Sequence, residues 1–117
     1  MGMEIYINKK NKNGENDIAY FGKDYAMKEY FLRDIKLRPV KGEEGEYYLT
    51  TRQLRDFLNY CLDGLIEDKH RDYFEICNDE MTKEDRQNYW ARVIKDITEG
   101  LKDYNKKEDM LIFVDSE

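Results

Sequence analysis

The clearest hydrophobic pattern in the chain lies between Leu54 and Ile66. Its apolar side chains recur every three or four residues, as they do along one face of an amphipathic α-helix. The members of this stripe are Leu54, Phe57, Leu58, Cys61, Leu62, Leu65 and Ile66. Two further stripes of the same period run from Met27 to Ile35 and from Trp90 to Tyr104. The chain is therefore predicted to form three helices that pack on one another through these stripes.

Two of the three helices begin with the same polar signal. Thr50 stands three residues before Gln53, and Thr82 stands three residues before Asp85. In this spacing the threonine side chain accepts a hydrogen bond from the third amide of the helix, and the third side chain bonds back to the threonine amide. Helix starts are therefore predicted at both threonines.

The predicted helix ends follow from proline and from the end of each stripe. The first helix runs from about residue 24 to residue 37, because Pro39 disfavours helical backbone at the residue before it. The second helix ends near Glu67 or Asp68. The third continues to Tyr104 through Gly100, a residue that weakens a helix by up to about 1 kcal/mol relative to alanine.

Short extended segments flank the helices. Residues 3–8 alternate between apolar and polar side chains, residues 18–21 are apolar, and residues 110–114 form an apolar run that is too short for a helix. The first two segments are predicted to pair as a hairpin across a long polar loop, Lys9 to Asp17, which contains the turn dipeptide Asn13-Gly14. The last segment is predicted to be a central strand.

Two further segments match no regular template. Residues 40–46 contain Gly42 and Gly45 among acidic side chains and are predicted to be a mobile loop, with an extended lead-in at residues 47–49. Residues 69–81 are predicted to be a short helical or extended segment that caps the core. The expected fold is a single α+β domain, residues 1–117, in which three helices pack on a small, mainly antiparallel sheet made of the N-terminal hairpin and the C-terminal strand.

Three blocks of the sequence carry a family resemblance. They are Ile18 to Lys23 with Tyr30-Phe31, then Tyr48-Leu49-Thr50 before the second helix, then Tyr89-Trp90 in the third. This arrangement resembles small uncharacterised proteins of phages and prophages of gut-type bacteria. The chain lacks the Gly/Phe-rich insert that the resemblance implies between the second and third helices. The resemblance implies a mobile-element origin and no biochemical role.

Composition and charge narrow the possible settings and partners. The net charge of −6 is divided between a mildly basic front, +3 over residues 1–41, and an acidic remainder, −9 over residues 42–117. This balance favours basic partners or mimicry of a polyanion over broad nucleic-acid binding. No apolar run is long enough to span a bilayer, and the two cysteines form no disulfide framework. A cytoplasmic protein with no membrane association and no cofactor is expected.

Candidate catalytic residues are few. His70 is the only histidine, and Cys61 and Cys77 are the only cysteines. Cys61 lies on the apolar stripe and is expected to be buried, and His70 follows three charged residues and is expected to be an exposed histidine at a helix end. No nucleophile and base are paired by the sequence, so the chain is predicted not to be an enzyme.

Two charged groups remain as candidate binding residues. Four acids flank the start of the third helix, at Asp79, Glu80, Glu84 and Asp85. They lack the glycine and the alternating spacing of a calcium loop, so no metal is predicted, and the acids at the helix start also favour its dipole. Presented together, they could compete with phosphate for the Lys and Arg side chains of a basic protein.

The second group is basic and aromatic. Lys9, Lys10 and Lys12 crowd the first polar loop, with Tyr6 nearby, and lysines beside exposed rings are typical of single-strand binding. The preferred hypothesis is a non-enzymatic protein-interaction module of mobile-element origin. It would act through an acidic, tyrosine-bearing surface and inhibit a basic host protein. The alternative is a weak single-stranded nucleic-acid binder that uses the Lys9 to Asn13 loop. The partner and the oligomeric state are left open.

Overall fold

The computed structural model describes residues 4–22, 25–71, 73–74 and 81–116, with backbone alone for residues 25 and 26. Its strands are β1 (Glu4–Asn11), β2 (Gly14–Gly22), β3 (Arg38–Pro39), β4 (Glu46–Tyr48) and β5 (Met110–Ser116). Its helices are α1 (Tyr25–Glu29), which continues as a π-helical turn (Tyr30–Asp34), α2 (Thr51–Glu67) and α3 (Lys83–Gly100). The described strands form one antiparallel sheet in the order β2-β1-β5-β4-β3. The predicted α+β fold, with three helices on an antiparallel sheet, is confirmed.

The last strand occupies the centre of this sheet, as its apolar run predicts. β5 pairs with β1 on one side and with β4 on the other, and residues 111–114 are all buried. The sheet is wider than predicted, because residues 46–48 form a true strand that β3 then extends. Residues 40–46 close the hairpin between β3 and β4: the Val40 amide donates to the Glu46 carbonyl at 2.9 Å. They are not the open loop that their glycines and acids suggest.

The N-terminal hairpin is tighter than its sequence suggests. β1 continues to Asn11 and β2 starts at Gly14, so the predicted nine-residue loop from Lys9 to Asp17 is wrong. Asn11 accepts a hydrogen bond from the Asn13 amide at 2.8 Å, and Gly14 takes a φ of 137° that other residues rarely adopt. Polar side chains suit strands here, because the tip of the hairpin needs only cross-strand pairing and no apolar face.

Two irregularities in β2 explain how adjacent residues both reach the core. The register against β1 shifts at Ile18 and again at Phe21. A bulge of this kind places two residues opposite one and redirects the side chains of the bulged strand. Ile18, Ala19 and Phe21 are consequently all buried. A strictly alternating strand would expose one of the first two.

Both predicted helix starts have the geometry that their sequence indicates. Thr50 accepts from the Gln53 amide at 3.1 Å, and the Gln53 side chain accepts from the Thr50 amide at 2.9 Å. Thr82 and Asp85 form the same reciprocal pair at the start of α3. Each pair satisfies two backbone amides that the helix leaves without internal partners.

Fewer residues of the apolar stripe of α2 are buried than predicted. Leu54, Phe57 and Cys61 are at most 1% exposed, whereas Leu62 and Ile66 are 38% and 73% exposed. The reason is a close helix crossing centred on Gly64: a Cβ built there would lie 2.5 Å from the indole nitrogen of Trp90. The line of contact with α3 therefore follows the glycine and leaves Leu62 and Ile66 beside it in solvent.

A bidentate ion pair holds the end of α2 to the start of α3. Asp68 ends α2 in left-handed conformation, with φ 53°, and its carboxylate accepts from two guanidinium nitrogens of Arg86, each at 2.9 Å. Arg71 approaches the same carboxylate at 2.9 Å. The hydrogen bonds from Arg86, aided by the charge of Arg71, lower the pKa of Asp68 to about 2. The carboxyl group is therefore ionised through the neutral and mildly acidic range.

The remaining boundaries differ from prediction for local reasons. The first helical segment ends at Asp34, three residues earlier than predicted. Lys36 then turns the chain with a φ of 59°. α3 ends at Gly100 and not at Tyr104, and Ile18 of β2 lies so close to that glycine that any side chain there would overlap it. Between α2 and α3, Tyr73 and Phe74 are buried over the core, as predicted for a capping segment, and residues 75–80 lie outside the described residues.

Candidate functional site

The strand register divides the sheet into two unlike faces. On the inner face Ile5, Ile7 and Phe113 are 0% exposed and join the buried residues of all three helices in one core. Ile7 lies opposite Phe113 in this register, and Tyr47 flanks Phe113 on β4. Because successive side chains of a strand point to opposite faces, the residues between these belong to the other side of the sheet, which we call the outer face.

The outer face carries tyrosines and charged groups beside the apolar side chains of Met110, Ile112 and Val114. Its members from the four longer strands, with Arg38 of β3, are Glu4, Tyr6, Asn8, Lys10, Glu15, Asp17, Tyr20, Arg38, Glu46, Tyr48, Met110, Ile112, Val114 and Ser116. Tyr20, Tyr48 and Met110 are 51%, 37% and 47% exposed. The helices pack on the inner side, so these large side chains remain in contact with solvent.

Cross-strand pairing arranges the outer face in rows. One row places Tyr20 beside Tyr6, and the neighbouring row places Asp17 beside Asn8, whose amide donates to the Asp17 carboxylate at 2.9 Å. Tyr48 lies opposite Ile112 in the same row as Asn8. Tyrosine rings thus stand in both rows and on three different strands.

A lysine bridge crosses the middle of this surface. The Lys10 ammonium lies 2.6 Å from Glu46 and 3.6 Å from Glu15. The register puts Ile112 between Lys10 and Glu46, and Ile112 is only 1% exposed. The hydrogen bond to Glu46 raises the pKa of Lys10, so the ammonium stays charged and pairs with these two carboxylates.

The outer face is acidic in balance. It holds four carboxylates, those of Glu4, Glu15, Asp17 and Glu46, against the two cations of Lys10 and Arg38. Desolvation by burial, together with these same four carboxylates, raises the pKa of Tyr6 above its usual value. The tyrosine hydroxyl therefore stays protonated, and the surrounding field attracts cations.

The predicted basic cluster is dispersed by the strand geometry. Lys10 and Tyr6 are on the outer face, but Lys9 points to the inner face and is only 9% exposed. Hydrogen bonds from the Asn105 amide and the Asn11 side chain lower the pKa of Asp109, and the charge of the nearby Lys9 lowers it further. Only Lys12 projects from the turn. The predicted exposed loop of three lysines is thus wrong, because two of them are strand residues on opposite faces.

The predicted acidic cluster is described only in part. Glu84 and Asp85 are exposed in the first turn of α3, where Asp85 serves the capping pair with Thr82. Asp79 and Glu80 lie outside the described residues. Among the residues that the structure does describe, no group of three or more histidines, cysteines or acids is placed to hold a metal ion.

Two of the candidate catalytic residues, Cys61 and His70, lie in the helical layer or pack on it. Cys61 is 0% exposed, as predicted, and burial raises the pKa of its thiol. His70 is half-buried with φ 65°, and its ring stacks on Tyr60 with the centroids 3.7 Å apart. The expected exposed histidine is therefore wrong, because the left-handed backbone turns His70 back onto α2. Cys77 lies outside the described residues.

The sequence predicts Tyr6 and Lys10 as binding residues and puts Tyr20 near them along the chain, but it does not place Tyr20, Tyr48 and Glu46 on one surface with them. The available signal was the two-residue period of β1, which puts Tyr6, Asn8 and Lys10 on one side. The positions of the other three follow only from the pairing of β2, β4 and β5, which are distant in the sequence.

The described part of the chain contains no helix with the length and apolar character needed to cross a membrane. Comparison of the chain with protein-family models, with curated proteins and with solved structures finds no match. The outer face of the sheet is therefore characterised by its own geometry: tyrosines on three strands are set among carboxylates, and two of them, Tyr20 and Tyr48, are exposed.

Proposed function

We propose that the protein is a non-enzymatic interaction module that binds a basic protein through the outer face of its sheet. The observation that carries this proposal is the outer face itself, on which Tyr20 and Tyr48 stand exposed among four carboxylates. Tyrosine presents a rigid, amphipathic contact area and is enriched where proteins meet. A partner's Lys or Arg side chains would gain both ion pairs and ring contacts there.

The charge of the surface selects the class of partner. An excess of carboxylates steers cationic proteins toward the face and repels phosphate. Inhibition of a basic host protein, together with the mobile-element origin that the resemblance implies, is the biological setting that we propose for such a module. The net charge of −6 supports the same choice.

The test is a capture experiment from bacterial lysate with matched variants. The wild type is compared with Tyr20→Ala/Tyr48→Ala, which removes two exposed rings of the outer face, and with Leu62→Ala/Ile66→Ala, which removes two exposed apolar side chains of α2. We expect a basic protein to be retained by the wild type and the α2 variant and lost by the tyrosine variant. Equal retention by all three would contradict the proposal, provided that their melting temperatures agree.

The alternative, single-stranded nucleic-acid binding, is tested in the same preparation. Lys9 is buried and Lys10 is paired with Glu46, which leaves Lys12 as the exposed lysine of the predicted trio. We expect labelled single-stranded DNA to show no salt-dependent binding at low ionic strength. Binding that weakens steeply with salt would favour the alternative over the interaction module.

A further inference from the structure

One edge of the sheet is open to a further strand. β2 is the outermost strand on its side, and no described strand pairs with its outer edge. The unpaired backbone groups of an edge strand form a ready template for another extended chain. β2 is nine residues long and contains no proline. β2 contains two bulges, and bulges can protect an edge strand from pairing. Here they bring Ile18, Ala19 and Phe21 into the core. Core packing therefore explains the bulges.

A groove runs along this edge because α3 ends against it. Gly100, the last residue of α3, lets the helix approach Ile18 of β2 more closely than any other residue would allow. The groove has a volume of ≈ 450 Å³ and lies between residues 17–20 of the strand and the last two turns of the helix. An extended chain laid along β2 would have one row of its side chains in this groove.

The groove is lined by charges of one sign. Asp17 contributes from the strand, and Asp96 and Glu99 contribute from the helix. Among the described residues neither Asp96 nor Glu99 forms a salt bridge, and the last turn of α3 contains no basic residue. Acids near the C-terminus of a helix are disfavoured by its dipole. The carboxylates and the helix end therefore act together on whatever enters the groove.

We propose that a Lys/Arg-bearing extended segment of a protein partner adds to the edge of β2 as a sixth strand. This proposal rests on the proposed function, because it assigns a binding mode to the same basic partner. In an added strand, alternate side chains point to opposite faces. One set would meet Asp96 and Glu99 in the groove, and the other would meet Tyr20 at the margin of the outer face.

Charge complementarity decides between the possible occupants of the edge. A second copy of this chain paired edge to edge through β2 would bring its Glu15 and Asp17 close to the same carboxylates, and like charges placed opposite each other are destabilising. A basic segment brings the complementary sign to every carboxylate of the groove. Main-chain hydrogen bonds then supply affinity, and the side chains supply specificity, as in other strand-addition complexes.

The test uses synthetic peptides and isotope-labelled protein. The probe is a capped peptide of alternating lysine and threonine with nine residues, the length of β2. A second peptide has glutamate in place of lysine, and a third is the lysine peptide with N-methyl groups on successive amides, so that neither of its edges can pair with β2. We expect the lysine peptide alone to produce saturable amide shifts in β2 and in the last turns of α3. Equal binding by the N-methylated peptide would show charge attraction without strand pairing and would overturn the proposal.

Matched charge reversals locate the site. Asp96→Lys/Glu99→Lys changes the groove, and Asp103→Lys/Glu108→Lys makes the same charge change at exposed positions beyond α3. We expect the groove variant to raise the Kd of the lysine peptide by about tenfold or more, and the control to leave it within about twofold. Lysines near the end of a helix favour its dipole, so the groove variant is expected to fold.

The outcomes separate this proposal from the proposed function. If the lysine peptide does not bind, or if both charge-reversed variants weaken it equally, the edge proposal is overturned. The interaction module is overturned separately, by the capture experiment with the tyrosine variant of the outer face, which uses no peptide. If the tyrosine variant loses the captured protein and the lysine peptide does not bind, the proposed function is supported and the strand-addition mode is rejected.

Discussion

The two faces of one sheet differ although the same strands build both. In β1 and β5 the inner residues Ile5, Ile7 and Phe113 are 0% exposed, whereas Met110 on the outer face of β5 is 47% exposed. The inner residues meet three helices, and the outer residues meet carboxylates, tyrosine rings and solvent. Backbone pairing is common to both faces, so the difference arises from the side chains alone. The inner face therefore supplies the core that it shares with the helices, and the outer face combines the buried Ile112 and Val114 with exposed tyrosines and charges.

The largest expected effect contrasts the two faces within a single strand. Phe113→Ala removes a fully buried ring from the inner face and is expected to lower the free energy of unfolding by about 3–5 kcal/mol. Met110→Ala, on the outer face of the same strand, is expected to change it by less than about 0.5 kcal/mol. Urea titration with an unchanged m-value measures both. Similar losses from the two variants would mean that the outer face is also part of the core.

The next effect tests how the helical layer is held above the inner face. Gly64→Ala would place a Cβ 2.5 Å from the Trp90 indole nitrogen and is expected to cost about 1–3 kcal/mol of unfolding free energy through overpacking. Alanine is intrinsically a better helix former by about 1 kcal/mol, so the sign of the change is informative. Asn59→Ala, at an exposed position of α2, serves as the control in the same denaturation experiment. Stabilisation by Gly64→Ala would contradict the close helix crossing.

A smaller effect concerns the ion pair that joins α2 to α3. The pKa of Asp68 is about 2 in the folded protein, below the value of 3.8 that the group has without its partners. Because the folded-state pKa is lowered, the ion pair stabilises the protein above about pH 4, and this contribution is lost as the pH falls toward 2. Asp68→Asn should therefore melt at a lower temperature than the wild type at pH 7. The difference between the two melting temperatures should narrow between pH 4 and pH 2, and a difference independent of pH would argue against the ion pair.

Local signals account for the parts of the fold that sequence alone predicts. The threonine caps at Thr50 and Thr82 involve residues three apart, and the apolar run of β5 is continuous, so each could be recognised within a short window. The long polar stretch after residue 8 looked like a loop, because composition does not reveal that Asn8 and Lys10 find their partners across strands. Propensity is a weak guide where cross-strand pairs decide the conformation.

Close approaches and the outer face depend on contacts that no short window contains. Gly64 and Gly100 interrupt apolar stripes and look like weak points of their helices, yet each one admits a neighbour, Trp90 or Ile18, that any other side chain would displace. In the same way, Tyr6 and Tyr20 become neighbours only through the hairpin register, which the long predicted loop did not define. Tyr20 and Tyr48, the exposed tyrosines among the described residues, thus lie on the sheet and not at the start of α3.

The most direct test of the outer face as a binding surface is site-specific photo-cross-linking in bacterial lysate. A photoreactive phenylalanine analogue replaces Tyr48 on the outer face in one preparation and Ile66, the exposed apolar residue of α2, in another. The predicted result is that a basic protein is cross-linked through position 48 and not through position 66. Cross-linking of that protein through position 66, with none through position 48, would contradict the assignment of binding to the outer face.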